Sequence, residues 1–125
     1  MKMVVRSGNF EVPIDKLGGE APSPIEYLLA SYAGCINIVG EIIAKEMNFK
    51  IHDIKVEVSG VFNAAKFMTG VGERAGYKEI STKVYVKSDV DMKTLEEWFR
   101  RVRERCPIED NIANQTPLRH HLEKI

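Results

Sequence analysis

One stretch decides most of what this chain can fold into. From Ala21 to Met47 it reads A-P-S-P-I-E-Y-L-L-A-S-Y-A-G-C-I-N-I-V-G-E-I-I-A-K-E-M. Ser23 stands as a helix N-cap, Pro24 takes the first helical position, and Glu26 completes a capping box with the serine. After Glu26 the next charge is Glu41, and apolar residues recur at helical spacing through Ile25, Leu28, Leu29, Tyr32, Ile36, Val39 and Ile43. The other side, with Ala30, Ala33, Gly34 and Gly40, is small rather than charged. Such a helix is expected to be buried nearly all round, with other backbone close against it. Cys35 sits in its middle.

A chain of 125 residues, 44% of them hydrophobic, has enough apolar material for one core and is expected to form a single domain over 1–125. Lysine plus arginine (18) equals aspartate plus glutamate (18), which removes the electrostatic reason to expect nucleic acid or an anionic membrane surface as partner. Met1 to Phe10 contains Lys2 and Arg6 and no apolar run, so no export signal is expected. The central helix carries Ser31, Gly34 and Asn37 and falls short of about 20 continuous apolar residues, so it is read as a core helix, not a membrane span. A cytoplasmic location is the default. The two cysteines, Cys35 and Cys106, lie far apart with no C-x-x-C and no histidine pair at ligand spacing, which argues against zinc or any other metal. In a reducing compartment they are either inert buried thiols or a redox-active pair.

Along the chain, Lys2–Arg6, Ser7-Gly8-Asn9 and Phe10–Ile14 read as a β-hairpin, with Phe10, Val12 and Ile14 alternating against Glu11 and Pro13. Asn48 is a left-handed stop for the central helix. Ile54, Val56 and Val58, and later Ile80, Thr82, Val84 and Val86, alternate with polar residues as half-buried antiparallel strands. The connection Phe62–Gly76 is long, and is expected to be a flap that buries apolar side chains without regular structure. Asp91 caps an amphipathic helix with Met92, Leu95, Trp98, Phe99 and Val102 inward and surface pairs Glu96/Arg100 and Glu97/Arg101. Its end, R-R-V-R-E-R, is read as a solvated face. Cys106, Pro107 and Glu109 fit N-cap, N1 and N3 of a further short helix, where backbone N–H groups favour a thiolate at Cys106. Leu118 to Ile125 is read as a short final strand that sends His120 and His121 to opposite faces.

These elements make an α+β domain. One small sheet and one helix cannot cover an all-apolar helix on every side, so a second copy of the chain is expected to do so.

The segment P-S-P-I-E-Y-L-L-A-S-Y-A-G-C, followed much later by C-P-I-E-D-N-I at Cys106 to Ile112, resembles the OsmC/Ohr family of osmotically inducible and organic hydroperoxide resistance proteins. The resemblance runs from Phe10 onward and lies closer to the broader OsmC-like branch. It implies antiparallel sheets wrapped around long buried central helices in an intertwined homodimer, with active sites at the subunit interface. It also implies a thiol-dependent peroxidase acting on organic hydroperoxides without a cofactor. By position, Cys35 matches the peroxidatic cysteine and Cys106 the resolving one. The expected partners are a small organic hydroperoxide and a dithiol reductant, whether a lipoyl protein, a thioredoxin-like protein or a small thiol.

The chemistry explains the residue types. A thiolate attacks the peroxide, becomes a sulfenic acid, and condenses with a second thiol to a disulfide. An unperturbed cysteine, with a pKa of about 8.5, is mostly thiol at neutral pH, so a cation is expected near Cys35. In the hydroperoxide-resistance branch, an arginine ahead of the helix pairs with a first-turn glutamate placed directly after the proline. Here that position is Ile25, only Glu26 is acidic, and Lys16 is the one cation of the preceding loop. Arg74, in the glycine-rich loop, is the candidate replacement, with Arg6 behind it. The departure keeps a second reading open, a non-catalytic or redox-sensing module that binds a small hydrophobic ligand at the dimer interface.

Overall fold

In the computed structural model, which describes residues 1–125, local sequence signals set the element boundaries. Strands β1 (Met3–Ser7) and β2 (Phe10–Ile14) form the expected hairpin around Gly8 and Asn9. Helix α1 spans Pro24–Glu46, and both halves of its capping box are made: Ser23 accepts from the Glu26 N–H, and Glu26 accepts from the Ser23 N–H at 3.0 Å. The Ser23 backbone and hydroxyl hold the Glu26 carboxyl below its ordinary value of 4.5. The helix start is therefore supported above pH 4.5 and weakens as the pH falls through the lower folded value. Ser23→Ala is expected to cost about 1 kcal/mol in chemical denaturation; no loss would mean that Pro24 alone sets the start. Asn48, at φ 59°, is the left-handed stop.

Strands β3 (Ile51–Phe62) and β4 (Tyr77–Ser88) pair antiparallel, with Ile54 opposite Val86, Val56 opposite Val84 and Val58 opposite Thr82. The alternation predicted for both runs is what lets one face of this ribbon lie on α1. Helix α3 (Met92–Arg105) crosses α1, and α4 (Pro107–Ala113) follows after a break at Cys106. The core is the line of contact between α1 and α3: Tyr32, Ile36, Val39, Ile43 and Ala44 against Trp98, Val102 and Cys106.

Several expectations are corrected. The Phe62–Gly76 connection is not irregular, because Asn63 caps a six-residue helix, α2 (Ala64–Thr69), that Gly70 stops at φ 80°. Nor does it bury its apolar residues, since Phe67, Met68 and Val71 are exposed. Leu118 to Ile125 forms no strand: it reaches no sheet edge in the chain, so His120 and His121 lie on an irregular tail. Arg100 pairs with Glu97 and Glu104, not with Glu96, while the Glu97–Arg101 pair forms as expected. Met92, at the first position of α3, is exposed rather than inward.

The chain alone does not cover α1. Leu28, Ile38 and Ile42 remain exposed along it, and by length and composition the helix would also pass for a membrane span. The whole chain exposes 9919 Å², against about 6,800 Å² for a compact monomer of its 14.2 kDa mass. Large apolar residues face outward on α1, on the β1–β2 hairpin and on α2, and the irregular tail from 114 to 125 is exposed throughout.

Candidate functional site

The α1–α3 packing line ends at the two cysteines. Cys35 is carried by α1, half-buried at the edge of the core. Cys106 is the N-cap of α4 and is 1% exposed. Their sulfurs are 3.0 Å apart, with the Cys106 thiol donating toward Cys35 Sγ. Both are free thiols, and a movement of about 1 Å closes the gap to a disulfide bond length of about 2.05 Å.

The protonation of Cys106 departs from the sequence expectation. Burial, and then the contact with Cys35, push its thiol up from the ordinary value of 9.0, and the Glu109 N–H, which reaches its sulfur at 3.4 Å, lowers it only in part. Cys106 is therefore held as a protonated thiol, not as the thiolate that its place at the helix start suggested.

Beside the sulfurs lies a chain of three side chains. Tyr32, one turn before Cys35, donates its hydroxyl to Glu109 Oε1 at 2.5 Å, and Arg103 Nε donates to the same oxygen at 3.0 Å. Burial and then Glu109 push the Tyr32 phenol far above its ordinary 10.0, so it stays a donor. The carboxylate of Glu109 in turn pushes the Arg103 guanidinium up. Arg105 is solvated as expected and pairs there with Glu46 of α1.

This fold with its paired cysteines meets a family description. A family model described as OsmC-like protein matches residues 17–121. The chain belongs to the OsmC-like family. Among solved structures it is similar to an OsmC-like protein from Mycoplasma pneumoniae, with 20% identity, a TM-score of 0.80, and coverage of 91% of this chain and 80% of that one. It is also similar to an OsmC-like hydroperoxide resistance protein from Jannaschia sp., with 19% identity, a TM-score of 0.67, and coverage of 92% and 75%. A third is the organic hydroperoxide resistance protein OhrB of Bacillus subtilis, with 20% identity, a TM-score of 0.56, and coverage of 92% of both chains. At these identities the likeness carries the fold. No curated protein matches the chain.

Of the residues singled out from sequence, this OsmC-like chain brings together Cys35 and Cys106. Glu26 is engaged by Ser23, through both its N–H and its hydroxyl. Lys16 and Arg74 form no side-chain hydrogen bond or ion pair with either cysteine or with Glu26; Arg74 lies on the loop after α2, beside Lys66, Glu73 and Lys78. Arg6 pairs with Glu11 across the hairpin. The sequence reading missed Tyr32, Glu109 and Arg103 as site residues. A shared spacing could have found two of them: Tyr32 lies three residues before Cys35, and Glu109 three after Cys106.

Proposed function

We propose that the chain is a thiol-dependent peroxidase that reduces organic hydroperoxides to alcohols. The observation that carries this reading is the 3.0 Å separation of the two sulfurs. The Cys35 thiolate attacks the distal peroxide oxygen, the O–O bond breaks, and the alkoxide leaves as alcohol after taking a proton, giving a sulfenic acid. Cys106 then attacks the Cys35 sulfur, a disulfide forms, and the hydroxyl leaves as water. A dithiol, free or carried by a protein, exchanges with that disulfide and takes its oxidation away. No cofactor enters these steps, and the cytoplasm is the compartment that keeps both thiols reduced between cycles. The family membership and the hydroperoxide resistance proteins among its structural relatives support the same chemistry.

The test is direct. Mixing reduced protein with cumene hydroperoxide should consume both free thiols of each chain and release cumyl alcohol; thiols that survive an excess of peroxide would sink the reading. Such a result would favour a second one, a module binding a small hydrophobic ligand. An apolar hollow of about 270 Å³ between β4 and α3, lined by Val84, Val86, Leu95, Trp98 and Phe99, supports it.

The working unit in this proposal is a homodimer. The large apolar residues exposed on α1, on the β1–β2 hairpin and on α2 form a surface for a second copy to cover, and the outer face of α1 is its apolar centre. Light scattering at micromolar concentration should give twice the chain mass, and Ile38→Lys should shift it toward monomer. A monomeric wild-type protein would overturn the dimer.

A further inference from the structure

We propose that Glu109 is a positioning residue for the disulfide: with Tyr32 and Arg103 it clamps the start of α4 onto α1, so that the Cys106 sulfur stays at reacting distance from Cys35. The proposal rests on the two-cysteine reading above and adds what holds the cysteines together.

Glu109 touches both halves of the site. Its backbone N–H reaches Cys106 Sγ at 3.4 Å, and its carboxylate accepts from Tyr32, which shares a face of α1 with Cys35 one turn away. α3 is anchored in the core by Trp98 and Val102, whereas α4 has seven residues and buries none of them fully. The chain turns between these helices at Cys106-Pro107, and Ile108 and Ile112 rest half-buried against the core. The Tyr32–Glu109 bond adds a directed restraint beside the sulfurs that this partial packing does not supply. It is a charge-assisted bond to a side chain that is only 18% exposed, the kind with the largest effect. Arg103 orients the carboxylate from the outside; at 58% exposed its own pairing is weak.

The quantity a clamp of this kind changes is the effective concentration of one thiol at the other. Two protein thiols and one glutathione disulfide exchange to give the Cys35–Cys106 disulfide and two reduced glutathiones, with two electrons and two protons passing to glutathione. The position of that equilibrium reports the effective concentration and requires no peroxide. By linkage, closing the disulfide strengthens the clamp by the same factor that the clamp favours the disulfide.

The experiment measures this equilibrium in glutathione buffers for the wild type, Tyr32→Phe, Glu109→Ala, Glu109→Gln and the Tyr32→Phe/Glu109→Ala double variant. It is run at a temperature where denaturation curves show every reduced variant folded. Glu109→Ala and Tyr32→Phe should each lower the equilibrium constant on the order of tenfold. The double variant should fall no further than Glu109→Ala alone, because both act through one contact. Glu109→Gln, whose amide oxygen still accepts from Tyr32 but without the charge, should recover part of the loss. A Glu109→Ala constant within about twofold of wild type, even with a lowered Tm, would show a structural role only and overturn the proposal; so would additive losses in the double variant. If the wild type forms no Cys35–Cys106 disulfide at any glutathione ratio, the two-cysteine reading and the clamp fall together. If the disulfide forms and responds to Glu109→Ala while peroxide leaves the thiols intact, the peroxidase reading falls and the clamp stands.

Discussion

Serine in place of Cys35 is expected to abolish peroxide consumption, while serine in place of Cys106 should leave one rapid equivalent of peroxide reduced and a sulfenic acid trapped on Cys35. Two features of the pair set this asymmetry. Cys106 is 1% exposed, whereas Cys35 is half-buried and offers the accessible sulfur. Cys106 also keeps its proton and points it toward Cys35, so in the proposed mechanism it is expected to react only after Cys35 has been oxidised. Its place at the start of α4 argues the other way, but burial and the contact with Cys35 outweigh the lowering by the Glu109 N–H, and the thiol is pushed up on balance. Mass spectrometry of each variant after one equivalent of cumene hydroperoxide checks the assignment. An oxygen added to Cys106 in Cys35→Ser, with peroxide consumed at the wild-type rate, would reverse the two roles.

The asymmetry also shows where the sequence was legible. The capping box of Ser23 and Glu26, the Gly8-Asn9 hairpin and the paired alternation of Ile54–Val58 and Ile80–Val86 depend on residues close together in the chain, and each formed as read. Helix α2 was not legible because six residues are too few to show a period, and its signal is the cap at Asn63 with the stop at Gly70. Leu118–Ile125, of mixed polarity, reads as a short final strand, yet a strand needs an edge to pair with, and local sequence cannot say whether one is within reach. The site divided along the same line. Both cysteines could be picked out, but Tyr32 and Glu109, 77 positions apart, meet only because α3 folds back along α1 and α4 then turns at Cys106. Arg103 looked like one more cation on a solvated face, and it becomes part of the site through that same turn. The acidity expected of Cys106 failed for a related reason, since local position reveals the helix dipole and only the packed fold reveals the burial.

The largest expected loss of stability lies where α1 and α3 touch. A Cβ built on Gly40 would come 2.8 Å from Trp98 Cζ2, and the Trp98 Nε1–H donates to the Gly40 carbonyl at the same distance, 2.8 Å. By helix propensity alone Gly40→Ala should gain about 1 kcal/mol. The indole, however, is 1% exposed, flanked by Phe49 and Phe99 and tied to the Gly40 carbonyl, so making room for the added methyl strains that bond and those contacts. Overpacking of this kind costs about 1–3 kcal/mol, so the net effect should be destabilising, and more so for Gly40→Val. Trp98→Ala should cost about 3–5 kcal/mol, a large share of the roughly 5–15 kcal/mol that holds a domain folded. Thermal and denaturant unfolding of the reduced protein measure both, at roughly 4 °C of Tm per kcal/mol. A Gly40→Ala variant as stable as wild type would mean that the indole can yield, and that the α1–α3 contact is looser than its geometry implies. Because α3 runs directly into Cys106, a loosened contact should also lower the glutathione equilibrium constant of the disulfide. A variant that loses stability yet keeps that constant would separate the two anchors, leaving Trp98 to hold the helices and the Tyr32–Glu109 bond to hold the sulfurs.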